Sequence, residues 1–136
     1  MENTEEMVPL TVRYGVRRKF SAAHSLPGYD GRCSNVHGHT WVIDMSAIVR
    51  GIPNQSGIIV DFNVFKKVVD QFDHEYLNDL LELPSAEILA DFIARKIAAS
   101  IEAPVLKVLD VTVWESEDCS VTVSWPFMSG DTSAAN

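Results

Sequence analysis

Residues 33–49 read Cys-Ser-Asn-Val-His-Gly-His-Thr-Trp-Val-Ile-Asp-Met-Ser-Ala-Ile-Val. His37, His39, Trp41, Ile43, Met45, Ala47 and Val49 take every second position. Gly38, Thr40, Asp44, Ser46 and Arg50 fall between them, with Val42 and Ile48 as the apolar exceptions. A period of two is the signature of a half-buried strand, so a long strand begins at His37 and its two histidines continue the inward column. Two imidazoles on one strand face can grip one metal ion, and the Cys33 thiol stands one loop turn away.

Upstream, Leu10, Val12, Tyr14 and Val16 alternate with Thr11, Arg13, Arg17 and Lys19. This predicts a first strand continuing through Phe20-Ser-Ala-Ala-His24. Residues 25–36 hold Pro27, Gly28, Asp30, Gly31, Ser34 and Asn35 and read as loop. Downstream, Asp61 can cap a helix carrying Phe62, Phe65, Val69 and Phe72, and residues 73–83 break that spacing. Ser85 is a second cap, with Glu87 well placed for the helix dipole. Leu89, Ile93, Ile97 and Ile101 follow every four residues, with Ile88 and Phe92 alongside, and Pro104 ends the helix. Two strands at about 105–115 and 119–126, joined by Ser116-Glu-Asp118, complete the order ββααββ. Strands and helices are segregated. The expected class is therefore α+β: a four-stranded antiparallel sheet with two helices on one face, in a single domain over 9–127. Residues 1–8 and 128–136 are expected to be disordered tails.

The chain of 136 residues has a net charge of −8, which argues against a nucleic-acid partner. Arg13, Arg17, Arg18 and Lys19 nevertheless form a local basic cluster that could meet an anionic small molecule. Two cysteines are too few for a disulfide framework. No apolar run approaches the about 18 residues of a membrane helix, and the N-terminus is acidic rather than signal-like. The expectation is a cytoplasmic protein with free thiols and no membrane partner.

Of the four histidines, His24 is the best third partner for His37 and His39, because it ends the first strand and can lie beside them across an antiparallel pair. Three imidazoles with an open position suit catalytic zinc. Addition of Cys33 as a fourth ligand would make a closed structural site instead. Asp73-His74 could orient a histidine towards the Cys33 thiol as an acid–base set, or could merely end the first helix. Glu115 closes the apolar column Leu109, Val111, Val113. A buried carboxylate there needs a partner, and paired N–H donors such as those of an amino-pyrimidinone ring would satisfy it; a solvated Glu115 would need none.

Taken together, Phe20-Ser-Ala-Ala-His24, Cys33-x-x-x-His37-Gly-His39, Asp73-His74-x-x-Leu77-Asn78, Pro84-x-x-Glu87 and Trp114-Glu115 resemble the 6-pyruvoyl-tetrahydropterin synthase family over about residues 10–126. The three-residue gap between Cys33 and His37 is similar to its bacterial 6-carboxy-tetrahydropterin synthase branch, which serves queuosine biosynthesis. The resemblance implies the tunnelling fold, a catalytic Zn2+ on His24, His37 and His39, and acid–base work by Cys33 with Asp73 and His74. It implies that Glu115 anchors the pterin ring and that the Ser85 segment contacts it. It implies a homohexamer with active sites between subunits. The expected reaction is conversion of 7,8-dihydroneopterin triphosphate to 6-carboxy-5,6,7,8-tetrahydropterin, with release of acetaldehyde and triphosphate. The alternatives are a 6-pyruvoyl-tetrahydropterin synthase and a non-catalytic zinc-stabilised protein. Where the family often has Asn-Pro-Thr-x-Glu, this chain has Leu83-Pro-Ser-Ala-Glu87. Arg32 and the basic cluster are the candidates for the triphosphate.

Overall fold

The computed structural model describes residues 7–126. Strand β1 runs Leu10–His24, β2 His37–Gly51, β3 Leu106–Trp114 and β4 Ser120–Trp125. Helices α1 (Asn63–Asp70) and α2 (Ala86–Ser100) lie between β2 and β3, so the order is ββααββ. The sheet is antiparallel throughout, in the order β1-β2-β3-β4. Single 3-10 turns at Arg32–Ser34 and Leu77–Asp79 interrupt the two long loops.

Strand parity sorts the sheet into two faces. On β1, Val16, Phe20, Ala22 and His24 are buried; on β2, Trp41, Ile43, Met45, Ala47 and Val49 are. Phe20 pairs with Trp41, Ala22 with His39 and His24 with His37, so these side chains share the helix-covered face. Leu109, Val111 and Val113 of β3 add to it. Helix α2 packs on β3 and β4, and α1 packs on β1 and α2. Leu89, Ala90, Ile93, Ala94 and Ile97 of α2 meet Phe65, Val69 and Phe72 from the α1 region in one core. The opposite face has no helix and carries Arg17, Lys19, Thr40, Asp44, Thr112 and Trp114. There Asp44 receives two bonds from Arg17, at 2.7 and 2.9 Å, and one from the Trp114 indole at 3.2 Å.

The helix signals match, with small differences. Ser85 Oγ accepts the Ile88 N–H at 3.2 Å, as its cap role requires. The first helix starts after Phe62, but Asp61 Oδ1 still accepts the Asn63 N–H at 2.8 Å. Phe62 and Ile88 share their helices' apolar spacing yet stay exposed, because the stripe that meets the core is narrower than the periodic set. Phe62 rests edge-on against the Tyr14 ring, 5.5 Å between centroids. The expected tails fall mostly on residues 1–6 and 127–136, outside the described residues.

Ile93→Ala should cost about 2–5 kcal/mol in urea unfolding, because the side chain is wholly buried where α2 meets the sheet. Thr122→Ala on the open face removes its 2.7 Å cross-strand bond to Thr112 and should cost only about 0.2–1 kcal/mol.

Candidate metal centre and active site

The β1–β2 register places three imidazoles at the end of the sheet. His24 and His37 are direct cross-strand partners, and His39 is two residues further along the same face. Their ring centroids are 4.5, 5.2 and 4.8 Å apart, and one nitrogen from each lies within 4.8 Å of the others. Two rings are turned by main-chain carbonyls. His24 Nδ1–H donates to the Pro84 carbonyl at 2.7 Å, and His37 Nδ1–H donates to the Asn35 carbonyl at 2.7 Å. A carbonyl can only accept, so in each neutral ring the Nε2 lone pair is left for a metal. The Nε2 atoms of His24 and His39 are buried and have no hydrogen-bond partner. Buried polar atoms without partners are rare in native proteins, and a metal ion would satisfy both here. Burial is the largest cause holding His39 below the ordinary histidine pKa. The carboxylate of Glu115 opposes that shift, and His24 and His37 add to it.

Glu115 follows the last residue of β3 and reaches the triad. Its Oε2 lies 3.5 Å from His24 Nε2 and 3.8 Å from His39 Nε2. It also lines a cavity of about 270 Å3 together with Cys33, Ser85, Glu87 and Cys119. Cys33 enters that cavity from the 3-10 turn at 32–34, whose main chain is tied down by the Leu26 N–H to Cys33 carbonyl bond at 2.8 Å. Gly31 precedes this turn with φ +148, a conformation that side chains rarely adopt.

Asp73 and His74 sit elsewhere. The 73–76 segment docks on the outer edge of β1: His74 N–H donates to the Ser21 carbonyl at 2.7 Å, and Ala23 N–H donates to the Glu75 carbonyl at 3.2 Å. Asp73 Oδ1 accepts the Ser21 N–H at 3.0 Å, and this bond is the main cause holding its carboxyl below the usual range. Asp73 Oδ1 is also 3.1 Å from His74 Nδ1. His74 has φ +63, uncommon for a residue with a side chain, and its ring is 83% exposed. It lines a second cavity, of about 600 Å3, with Ser21, Gly38, His39 and Thr40. Asn78 holds the segment to the strand end, bonding the Ser25 N–H and the Ser25 carbonyl at 2.9 Å each.

The fold therefore brings His24, His37, His39 and Glu115 together, places Cys33 and Ser85 beside Glu115, and joins Asp73 to His74. Within one chain, Cys33 and His74 line different cavities. The basic cluster does not converge on the triad. Arg17 and Lys19 have the wrong parity and face the helix-free side, Arg17 is held by Asp44, and Arg18 is held by Asp70 of α1. Pro84 and Asn35 act through backbone oxygens, which no side-chain pattern reveals. The sequence signal for Pro84 is its place one residue before the α2 cap.

Residues 14–125 match the family model described as 6-pyruvoyl tetrahydropterin synthase. A protein of Archaeoglobus fulgidus, provisionally named 6-carboxy-5,6,7,8-tetrahydropterin synthase, is 34% identical over 118 residues, covering 84% of this chain and 92% of its own. The 6-carboxy-5,6,7,8-tetrahydropterin synthase of a Synechocystis species is 36% identical over 88 residues, covering 57% and 68%. A dihydroneopterin monophosphate aldolase of Pyrococcus furiosus is 30% identical over 113 residues, covering 80% and 94%. The 6-pyruvoyl tetrahydropterin synthase structure of Caenorhabditis elegans aligns with a TM-score of 0.57 at 26% identity, over 88% of this chain and 98% of that one.

The lowered His39 pKa sets a pH dependence. The fold disfavours the protonated ring, so below about pH 6.5 the unfolded chain binds more protons than the native one. Stability of the metal-free protein should thus fall as pH drops through that value and level off below the folded pKa. Urea midpoints at pH 7.5 and 5.5 measure the slope, and His39→Gln should flatten it; an unchanged slope in the variant would remove His39 as its source.

Proposed function

The chain belongs to the 6-pyruvoyl tetrahydropterin synthase family, and on that premise we propose that it is a zinc-dependent 6-carboxy-5,6,7,8-tetrahydropterin synthase. The reaction is conversion of 7,8-dihydroneopterin triphosphate to 6-carboxy-5,6,7,8-tetrahydropterin with release of acetaldehyde and triphosphate, a step of queuosine biosynthesis. The observation that carries the proposal is the convergence of three imidazoles with Glu115 beside a cavity that also holds Cys33. Two of the relatives above, at 34% and 36% identity, bear this synthase's name, one of them provisionally.

His24, His37 and His39 would hold the zinc, which when bound would supply Lewis-acid polarisation of the oxygens on the substrate side chain. Glu115 takes the paired N–H groups of the pterin ring and aims the side chain at the triad. Ser85 and its neighbours form the wall of that ring cavity. Cys33 moves protons at the side chain and ring as general acid and base. Asp73 holds the Nδ1 side of His74, leaving Nε2 to exchange protons with the thiol. Because Cys33 and His74 line separate cavities in one chain, the relay is completed by a second copy. A homo-oligomer, expected to be a hexamer in the cytoplasm, supplies that copy. Among the described residues, no helix is long and apolar enough to cross a membrane.

Zinc-loaded protein given 7,8-dihydroneopterin triphosphate should release acetaldehyde and triphosphate together. Triphosphate without acetaldehyde would assign the pyruvoyl reaction. Cleavage of dihydroneopterin monophosphate, with the triphosphate left untouched, would assign the aldolase activity named for the Pyrococcus furiosus relative. Cys33→Ala should lower kcat by about 10²-fold or more with zinc content unchanged. Mixing inactive Cys33→Ala and His74→Ala proteins after dissociation should restore part of the activity, since some mixed interfaces then contain both groups; no recovery would argue for a relay within one chain.

A further inference from the structure

Glu115 approaches the histidines more closely than the anchoring of a ring requires. Its Oε2 is 3.5 Å from His24 Nε2 and 3.8 Å from His39 Nε2. Neither contact is a hydrogen bond, because both nitrogens lack a partner. His24 gives its Nδ1–H to Pro84, so the Nε2 of the neutral ring turns a lone pair towards a carboxylate oxygen. Two electron-rich atoms facing each other inside a protein repel unless a cation lies between them. With zinc bonds of about 2.0–2.2 Å, neighbouring ligand atoms of a tetrahedron stand about 3.4 Å apart. The Glu115 oxygen is near that spacing from two of the three imidazoles.

The carboxylate also has somewhere else to go. Glu115 sits just past the end of β3, its main chain held by the N–H to Cys119 carbonyl bond at 3.2 Å. Its side chain is 32% exposed and borders the 270 Å3 cavity that contains Cys33 and Ser85. The same side chain thus borders both the triad and that cavity.

We propose that Glu115 is a reversible fourth metal ligand. It closes the coordination site while the ring cavity is empty and leaves when a ring with paired N–H donors claims both of its oxygens. The inference rests on the reading above, that the three histidines hold the metal and Glu115 meets the ring. Ring recognition and opening of the metal then become one event. Anions that carry no such ring are kept off the metal, and the substrate's own side-chain oxygens find a vacated position.

The test uses cobalt(II) in place of zinc, read by its visible absorption, which reports coordination number and ligand type. Unsubstituted pterin, which has the ring but no side chain to reach the metal, should change the cobalt spectrum of the wild-type protein as it saturates the site, with binding followed by pterin fluorescence. Glu115→Ala and Glu115→Gln should alter the cobalt spectrum before any pterin is added. They should also weaken zinc binding by about tenfold in a chelator competition. Pterin that fails to bind, or binds with no spectral change, overturns the proposal without recourse to any variant. Folded variants with the wild-type spectrum and zinc affinity overturn it as well. In both cases cobalt held by the three histidines leaves the metal-site reading standing. Wild-type protein that takes up no cobalt overturns that reading and this proposal with it.

Discussion

One cross-strand pairing underlies the site: His24 opposite His37 in the β1–β2 ladder. Antiparallel partners share a face, so this register alone fixes that the two rings meet, and it brings His39 to the same side. A slip of one residue would send the column Trp41, Ile43, Met45, Ala47, Val49 to the helix-free face. The buried apolar surface that holds the fold together therefore also holds the ligand geometry. Metal-site precision costs no separate device in β1 and β2, because it follows from the same parity as the core.

The second layer of positioning comes from elements far away in sequence. Pro84 stands at the entry to α2 and its carbonyl orients His24, while Ser85 beside it caps the helix. Packing of α2 onto β3 and β4 thus bears on the orientation of a ring on β1. The chain departs from the usual family motif at this very segment, Leu83-Pro-Ser-Ala-Glu87. The departure keeps the proline, whose contribution is a main-chain oxygen, and a hydroxyl that can still cap.

Much of this was legible from residues alone. Alternation marked the first two strands and the Leu109–Val113 column of the third, and parity turned His37 and His39 inward. Ser85 announced its helix because a side-chain cap has a compositional signal. Three features had no such signal. The Asn35 and Pro84 carbonyls belong to the backbone, and any residue has one. The split of Cys33 from His74 depends on how two loops fold back on the sheet, which periodicity does not encode. The basic run at 13–19 read as one cluster, but a strand divides its neighbours between two faces, and Asp44 and Asp70 hold two of its arginines. Glu115 was legible as the end of an apolar column, whereas its approach to His24 joins residues at the ends of strands that are not neighbours in the sheet, which periodicity along one strand does not encode.

The docking of residues 73–76 on β1 has a consequence for the sheet's outer border. That border is an open edge, able to accept another strand in more than one alignment. His74 and Glu75 already occupy the hydrogen-bonding groups of Ser21 and Ala23. An incoming strand can use β1 only up to Lys19 or Phe20, and sliding further towards His24 runs it into a filled ladder. The segment works as a stop against slippage and holds any neighbouring strand to a fixed alignment along the first two-thirds of β1.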